Sequence, residues 1–175
     1  MIELLRTRRS IRKFTPEPVD RALVDQVVEA VLRAPSSRGR RPWEFVVVDD
    51  RSLLASLSRA KPHGASFLAG APVGIVVCGD ERRSDVWVED CSIAAFIAHA
   101  AAHGLGLGSC WIQLRLRPHD DEQSAEQYVR GLLAIADPLR VHSIVALGHP
   151  AESKPGHELG SLDRCKIHWN RFGEP

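Results

Sequence analysis

Residues 86–103, VWVEDCSIAAFIAHAAAH, run without a proline or glycine and are dominated by alanine and large apolar side chains. Such a run predicts a helix buried around most of its circumference, against which every other element must be layered. It ends in GLGLGSCWIQ, residues 104–113, where glycines alternate with leucines ahead of Ser109, Cys110 and Trp111. Gly104 is expected to close the helix as a left-handed C-cap, and SCWIQL to form a strand. A glycine-rich phosphate loop needs the reverse order, in which the glycines follow a strand and open a helix whose amides meet the phosphate. Here a helix C-terminus would turn carbonyls toward the loop, and carbonyls repel phosphate. The run is therefore not a nucleotide loop. A packing turn, and a turn that lets backbone approach a flat partner beside Trp111, are both open from these residues alone.

The flanking segments set the architecture. A short helix over Met1–Arg8 leads into RRSIRKFTPEPV, where Pro16 and Pro18 forbid helix and Asp20 is placed to cap the next one. Leu23, Val24, Val27, Val28, Val31 and Leu32 then recur at helical spacing through residue 33. RAPSSRGRRP breaks that helix before the strand WEFVVVDD, a helix is expected over 51–60, and VGIVVCGD is a further strand. Beyond the glycine turn, a helix over Ser124–Ile135 precedes the strand RVHSIVALG. Strands apolar on both faces suit a sheet covered by helices on each side. The expectation is one domain over 1–175, α+β with a mixed central sheet. Its last segment, 151–175, is an extended polar tail in which Ile167, Trp169 and Phe172 are isolated anchors that need another surface, the chain's own or a partner's.

Composition excludes several classes of function. With 175 residues and 44% hydrophobic content the chain can bury one sizeable core. Its 23 basic and 22 acidic residues leave a formal charge of +1, so no bulk field draws it to nucleic acid or membrane. No window is apolar enough to span a bilayer. MIELLRTRRS lacks the apolar core of a secretion signal, and Cys78, Cys91, Cys110 and Cys165 show no short pairing. Reduced thiols in the cytoplasm are the expectation.

Three clusters carry possible chemistry. Arg6, Arg8, Arg9, Arg12 and Lys13 surround Ser10, and guanidinium groups grip phosphate oxygens through a two-pronged fork. A solvated basic face or a nucleic-acid arm are the plainer readings, and the lack of interleaved aromatics counts against the latter. APSSRGRRPW, residues 34–43, is a polar loop between a helix and a strand, a common place to hold ligands and an equally ordinary connection. His99 and His103 lie one turn apart on the long helix, but no glutamate separates them in the H-E-x-x-H manner and no second ligand cluster is near, so no metal site is assigned. Cys110 has no neighbouring base in sequence and is expected to be a buried thiol.

Taken in order, RRSIRKF, APSSRGRRPWEFVVV, APVGIVV, GLGLGSCWIQ and ALGHPAESK resemble the nitroreductase family of FMN-dependent oxidoreductases over nearly the whole chain. The resemblance implies an α+β sandwich forming an intertwined homodimer with tightly bound FMN at the subunit interface, so that the flat partner of the glycine turn is the isoalloxazine ring. It implies that Arg8, Arg9, Ser10 and Arg12 hold the phosphate, ribityl chain and pyrimidine edge. By the same resemblance Pro35, Ser36 and Ser37 reach across from the other subunit, and Trp111, Ile112 and Gln113 lie against the ring. The resemblance further implies Lys154 as an additional phosphate cation. Gly39 and Arg41 stand where the family has asparagine and glutamine, so the carboxamide contacts expected there are replaced, with Arg41 as a candidate flavin contact. The activity implied is passage of a hydride from NADH or NADPH through flavin N5 to a small organic acceptor, nitroaromatic or quinone-like, by ping-pong turnover. No side-chain acid or base is nominated as catalytic. Alternatives are a flavin-dependent dehalogenase or dehydrogenase of the same family, and a non-catalytic flavin-binding module.

Overall fold

A computed structural model describes residues 1–173; the tail's last two positions, Glu174 and Pro175, lie outside the described residues. In chain order the elements are α1 (Ile2–Thr7), α2 (Arg21–Leu32), β1 (Trp43–Val48), α3 (Arg51–Leu57), β2 (Val73–Asp80), α4 (Trp87–Gly104), β3 (Gly108–Gln113), α5 (Ala125–Leu132) and β4 (Leu139–Gly148). Local chemistry starts the helices. Asp20 accepts a hydrogen bond from Ala22 N at 2.9 Å to cap α2, as its position in sequence predicts. Asp50 does the same for α3 through Leu53 N, and Ser124 with Gln127 forms a reciprocal capping box on α5.

The strands form one sheet in the order β1-β2-β4-β3, and each neighbouring pair is antiparallel. The α+β expectation is met. The sheet proper is antiparallel rather than mixed, because the helix-containing connections return each strand against its neighbour; parallel pairing enters as the isolated bridge Ser10↔Ser109. Central β2 and β4 divide their side chains between two cores. Ile75, Val77, Val145 and Leu147 face α2 and α4, while Val76, Cys78, Ile144 and Ala146 face α3 and α5. That two-sided burial explains why these strands are apolar throughout. Ala94, Ala95, Ala98 and Ala102 keep α4 thin where it crosses the sheet.

The end of α4 differs from expectation in one respect. Gly104 is the last helical residue, and the left-handed position falls at Gly106, with φ +78°. Leu107 N bonds back to Ala102 O at 2.8 Å and Gly106 N to His103 O at 3.0 Å, the pair of bonds of a Schellman motif. A side chain at Gly108 would place its Cβ 2.8 Å from Ile11 Cγ2 and 3.2 Å from Pro150 Cβ. The close approach at this glycine is therefore by the chain's own Ile11 and Pro150.

The tail begins docked and ends exposed. Ala151 N donates to Lys13 O at 2.8 Å, Pro150 bridges Phe14, and a Cβ at Gly156 would collide with the Arg6 carbonyl. Further on, Ile167, Trp169 and Phe172 are 60%, 68% and 92% exposed. Among the described residues no helix is long and apolar enough to cross a membrane.

Candidate functional site

The segment Arg8–Arg12 lies along the outer edge of the sheet. Ile11 N donates to Ser109 O at 2.9 Å, and Ser10 pairs with Ser109. Because the Ser109 carbonyl points away from β4, strand alternation turns the main-chain groups of Trp111 and Gln113 to the same outer edge. Those of Cys110 and Ile112 are engaged with β4, in register with Ala146 and Ile144. β3 therefore turns the backbone amides of Trp111 and Gln113 outward beyond the point where the Arg8–Arg12 segment leaves it, while the Trp111 carbonyl accepts from Cys110 Sγ at 3.6 Å.

Cations gather beside this edge. Lys154 Nζ donates to Ser10 O at 3.0 Å and pairs with Glu152 at 3.0 Å. Arg9 donates to the Pro155 carbonyl in a close contact, and the Arg12 guanidinium lies 5.8 Å over the Phe67 ring. Glu152 ties the group together by accepting from Arg12 N at 2.6 Å, and that amide, followed by Lys154, holds its carboxyl below the usual range. Arg9, Ile11, His103, Gly108, Pro150 and Lys154 line a cavity of about 280 Å³. The Arg8 guanidinium reaches His99 on α4, with Nη1 2.6 Å from Nε2, while its Nε is buried without an acceptor.

Trp111 and Gln113 brace one another: the indole Nε1 donates to Gln113 Oε1 at 3.0 Å, and Gln113 Nε2 donates to Arg115 O at 3.0 Å. The buried ring of His142 meets the Trp111 indole edge-on at 5.3 Å and is held neutral, its pKa lowered to about 4 by burial and by Arg115. Ile112 is brought to the site by neither end, since its side chain is 1% exposed in the core under α3 and α5. Burial pushes the Cys110 thiol up, against the opposing pull of Arg12, Ser10 and Lys154, which leaves it a poor nucleophile.

Pro35, Ser36, Ser37 and Arg41 lie elsewhere. Ser37 N donates to Asp90 Oδ1 at 2.9 Å in the first turn of α4, and Ser36 Oγ accepts from Arg41 N at 2.9 Å. Asp90 and His99 are separated by roughly 13 Å along the helix, at ~1.5 Å per residue. One chain thus puts the 35–41 loop and the arginine segment toward opposite ends of α4. Arg38, Gly39 and Arg41 take left-handed φ of 53°, 65° and 47°. Such backbone is costly at arginine and clusters at ligand-holding loops.

Comparison with known proteins matches this arrangement to one family. The model of the nitroreductase family covers residues 5–62 and 54–149. A protein of Methanothermobacter thermautotrophicus, provisionally named NADH dehydrogenase/NAD(P)H nitroreductase, is 37% identical over 95% of this chain and 86% of its own. The solved structure of an FMN-dependent nitroreductase from Clostridium difficile R20291 superposes with a TM-score of 0.97 at 44% identity, covering 98% of this chain and 100% of that one. This chain belongs to the nitroreductase family. An FMN reductase [NAD(P)H] of Bacillus subtilis is a more distant nitroreductase-like relative, 29% identical over 87% of this chain and 66% of its own.

Asp90, His99 and Glu152, which brace the 35–41 loop and the arginine segment, do not stand out in those roles from sequence. Asp90 carried a usable signal: a carboxylate inside an apolar helix is either functional or anchored, and here it is 3% exposed and accepts from both Ser37 N and Ser84 Oγ. The sequence around His99 suggests only the spacing of a metal ligand, four residues from His103. Among the described residues no three His, Cys, Asp or Glu side chains converge to hold an ion.

Proposed function

We propose that this nitroreductase-family chain is an FMN-dependent oxidoreductase that uses NADH or NADPH to reduce a small organic acceptor, nitroaromatic or quinone-like. The observation that carries the reading is the pairing of a cation cluster with an open strand edge. Arg8, Arg9, Arg12 and Lys154 surround Ser10, and the main chain of Trp111 and Gln113 faces outward immediately beyond. Those two features fit the two ends of a flavin mononucleotide: guanidinium and ammonium groups for its phosphate, and backbone amides for the heteroatoms of its ring. The buried Arg8 Nε without an acceptor marks a guanidinium whose hydrogen bonding is incomplete within the chain.

When bound, FMN supplies the two-electron chemistry, taking a hydride at N5 and passing the electrons on in a ping-pong cycle. The chain's own residues bind and orient: Arg8, Arg9, Ser10 and Lys154 at the phosphate end, Arg12 at the pyrimidine edge, Trp111 and Gln113 beside the ring. The Pro35–Ser37 loop is proposed to serve the flavin of a second copy. Its separation from the arginine segment within one chain supports this, as do the exposed Ile93 and Phe96 on α4 and the exposed Ile167, Trp169 and Phe172 of the tail. The names of the relatives, FMN-dependent nitroreductase and FMN reductase, agree with the reading. Among the described residues no helix opens on a glycine loop after a strand, the arrangement that holds a dinucleotide pyrophosphate, which favours FMN over FAD. Mass spectrometry of the chromophore released from the purified protein tests the assignment. FMN is expected; FAD alone, or no flavin, overturns it.

A further inference from the structure

His99 sits on the buried face of α4, 6% exposed, and the chemistry proposed above makes no use of it. Both ring nitrogens nevertheless have partners. Arg8 Nη1 lies 2.6 Å from Nε2, and a guanidinium only donates, so Nε2 is the acceptor. The ring proton then sits on Nδ1 and is donated to Ser109 Oγ in a close contact. The Ser109 hydroxyl in turn has the His99 carbonyl as its acceptor at 3.3 Å. The Arg8 Nη1 hydrogen, the imidazole hydrogen and the Ser109 hydroxyl hydrogen are thus all partnered in one arrangement. The other tautomer would set Nε2–H against a guanidinium N–H. Burial, followed by the positive charge of Arg8 and by His103, lowers the imidazole pKa to about 4, so this arrangement persists at neutral pH.

The two partners of the ring belong to the two segments that meet at the site. Arg8 opens the arginine segment, and Ser109 is the β3 residue on which that segment docks through Ser10 and Ile11. An arginine side chain has several rotatable bonds, and this one has a buried Nε with no acceptor to restrain it. The hydrogen bond to His99 supplies the restraint.

We infer that His99 is a positioning residue: by accepting from Arg8 and donating to Ser109 it aims the Arg8 guanidinium and locks the arginine segment to β3, and so sets the preference for a phosphorylated over an unphosphorylated flavin. The inference rests on the reading of Arg8 as a phosphate cation given above.

The test is a pair of binding titrations, with FMN and with riboflavin, on the full-length flavin-free protein and its variants. His99→Leu removes both hydrogen bonds; His99→Gln keeps an acceptor and a donor on one side chain. In His99→Leu, FMN affinity is expected to fall about tenfold while riboflavin affinity changes less than about twofold. His99→Gln should recover most of the preference, and adding Arg8→Gln to His99→Leu should cost little more, because both act on one interaction. Equal losses for the two flavins, or a preference kept in full by His99→Leu, overturn the inference. A wild-type protein that binds both flavins equally overturns the phosphate reading of Arg8 and this inference with it. Ring-nitrogen NMR of the wild type is independent of any variant's folding: a protonated Nδ1 and bare Nε2 are expected for His99, and a protonated Nε2 contradicts the assignment.

Discussion

At the scale of single residues, charge and burial make separate predictions. Reduction of a flavin by hydride leaves negative charge at its pyrimidine edge, so a cation there favours the reduced state. A unit charge at ~4 Å contributes about 4 kcal/mol at an effective dielectric near 20, before desolvation. A quarter of that, ~1 kcal/mol, moves a two-electron potential by roughly 20 mV. Arg12→Gln is therefore expected to lower the flavin midpoint potential by at least that much with FMN affinity largely kept; an unchanged potential with lost affinity would place Arg12 at the phosphate instead. Buried histidines predict a pH dependence. His99 and His142 have folded pKa values near 4, below the ordinary 6.5, so between those values the unfolded chain binds more protons than the folded one. Stability is full above pH ~6.5 and falls toward pH ~4, by up to ~1.4 kcal/mol per pH unit for each ring. Urea midpoints across this range should show the decline, and His142→Gln should make it shallower; a flat wild-type profile would contradict the burial argument. The arginine segment was legible in sequence because clustered guanidinium groups stand out in a nearly neutral chain. His99 and Glu152 were not, since their roles arise from partners 91 and 140 positions away.

At the scale of elements, periodicity located the helices and strands well, because a two-sided core leaves a strong apolar pattern on α2, α4, β2 and β4. The turn after α4 was harder. Its glycines look alike in sequence but do different work: Gly106 supplies a left-handed backbone, Gly108 leaves room for Ile11 and Pro150, and Gly104 simply ends the helix. Substitution separates them. Gly106→Ala should cost about 1 kcal/mol of stability from backbone strain, with flavin binding retained. Gly108→Ala forces Ile11 aside, at ~1–3 kcal/mol as for other overpacked sites, and should weaken flavin binding as well because Ile11 anchors the arginine segment to Ser109. Thermal melts and flavin titrations of the two variants check this, and the reverse order of effects would contradict it. The mixed sheet expected from sequence proved antiparallel because strand direction depends on how connections return, which local pattern does not encode.

At the scale of the whole molecule, the tail carries apolar anchors that this chain leaves exposed. Burying Ile167, Trp169 and Phe172 would contribute ~1.5–3 kcal/mol each, enough to matter for holding two subunits together. Under the proposed two-copy arrangement, deletion of residues 160–175 is expected to give monomer or aggregate with weak flavin retention on size-exclusion chromatography; a truncated protein that stays dimeric and yellow would show that the tail does not hold two copies together. The polar, proline-containing composition points to a second surface for this segment, but no single sequence states which surface it meets. The account as a whole stands on a flavin held by the arginine segment and reduced by nicotinamide. Anaerobic titration of the purified protein with NADH and with NADPH, followed by its visible spectrum, tests that most directly. Oxidised-flavin bands that bleach after one equivalent of at least one of the two nicotinamides are the predicted result. Flavin bands that neither nicotinamide bleaches, or the absence of any flavin band, would contradict it.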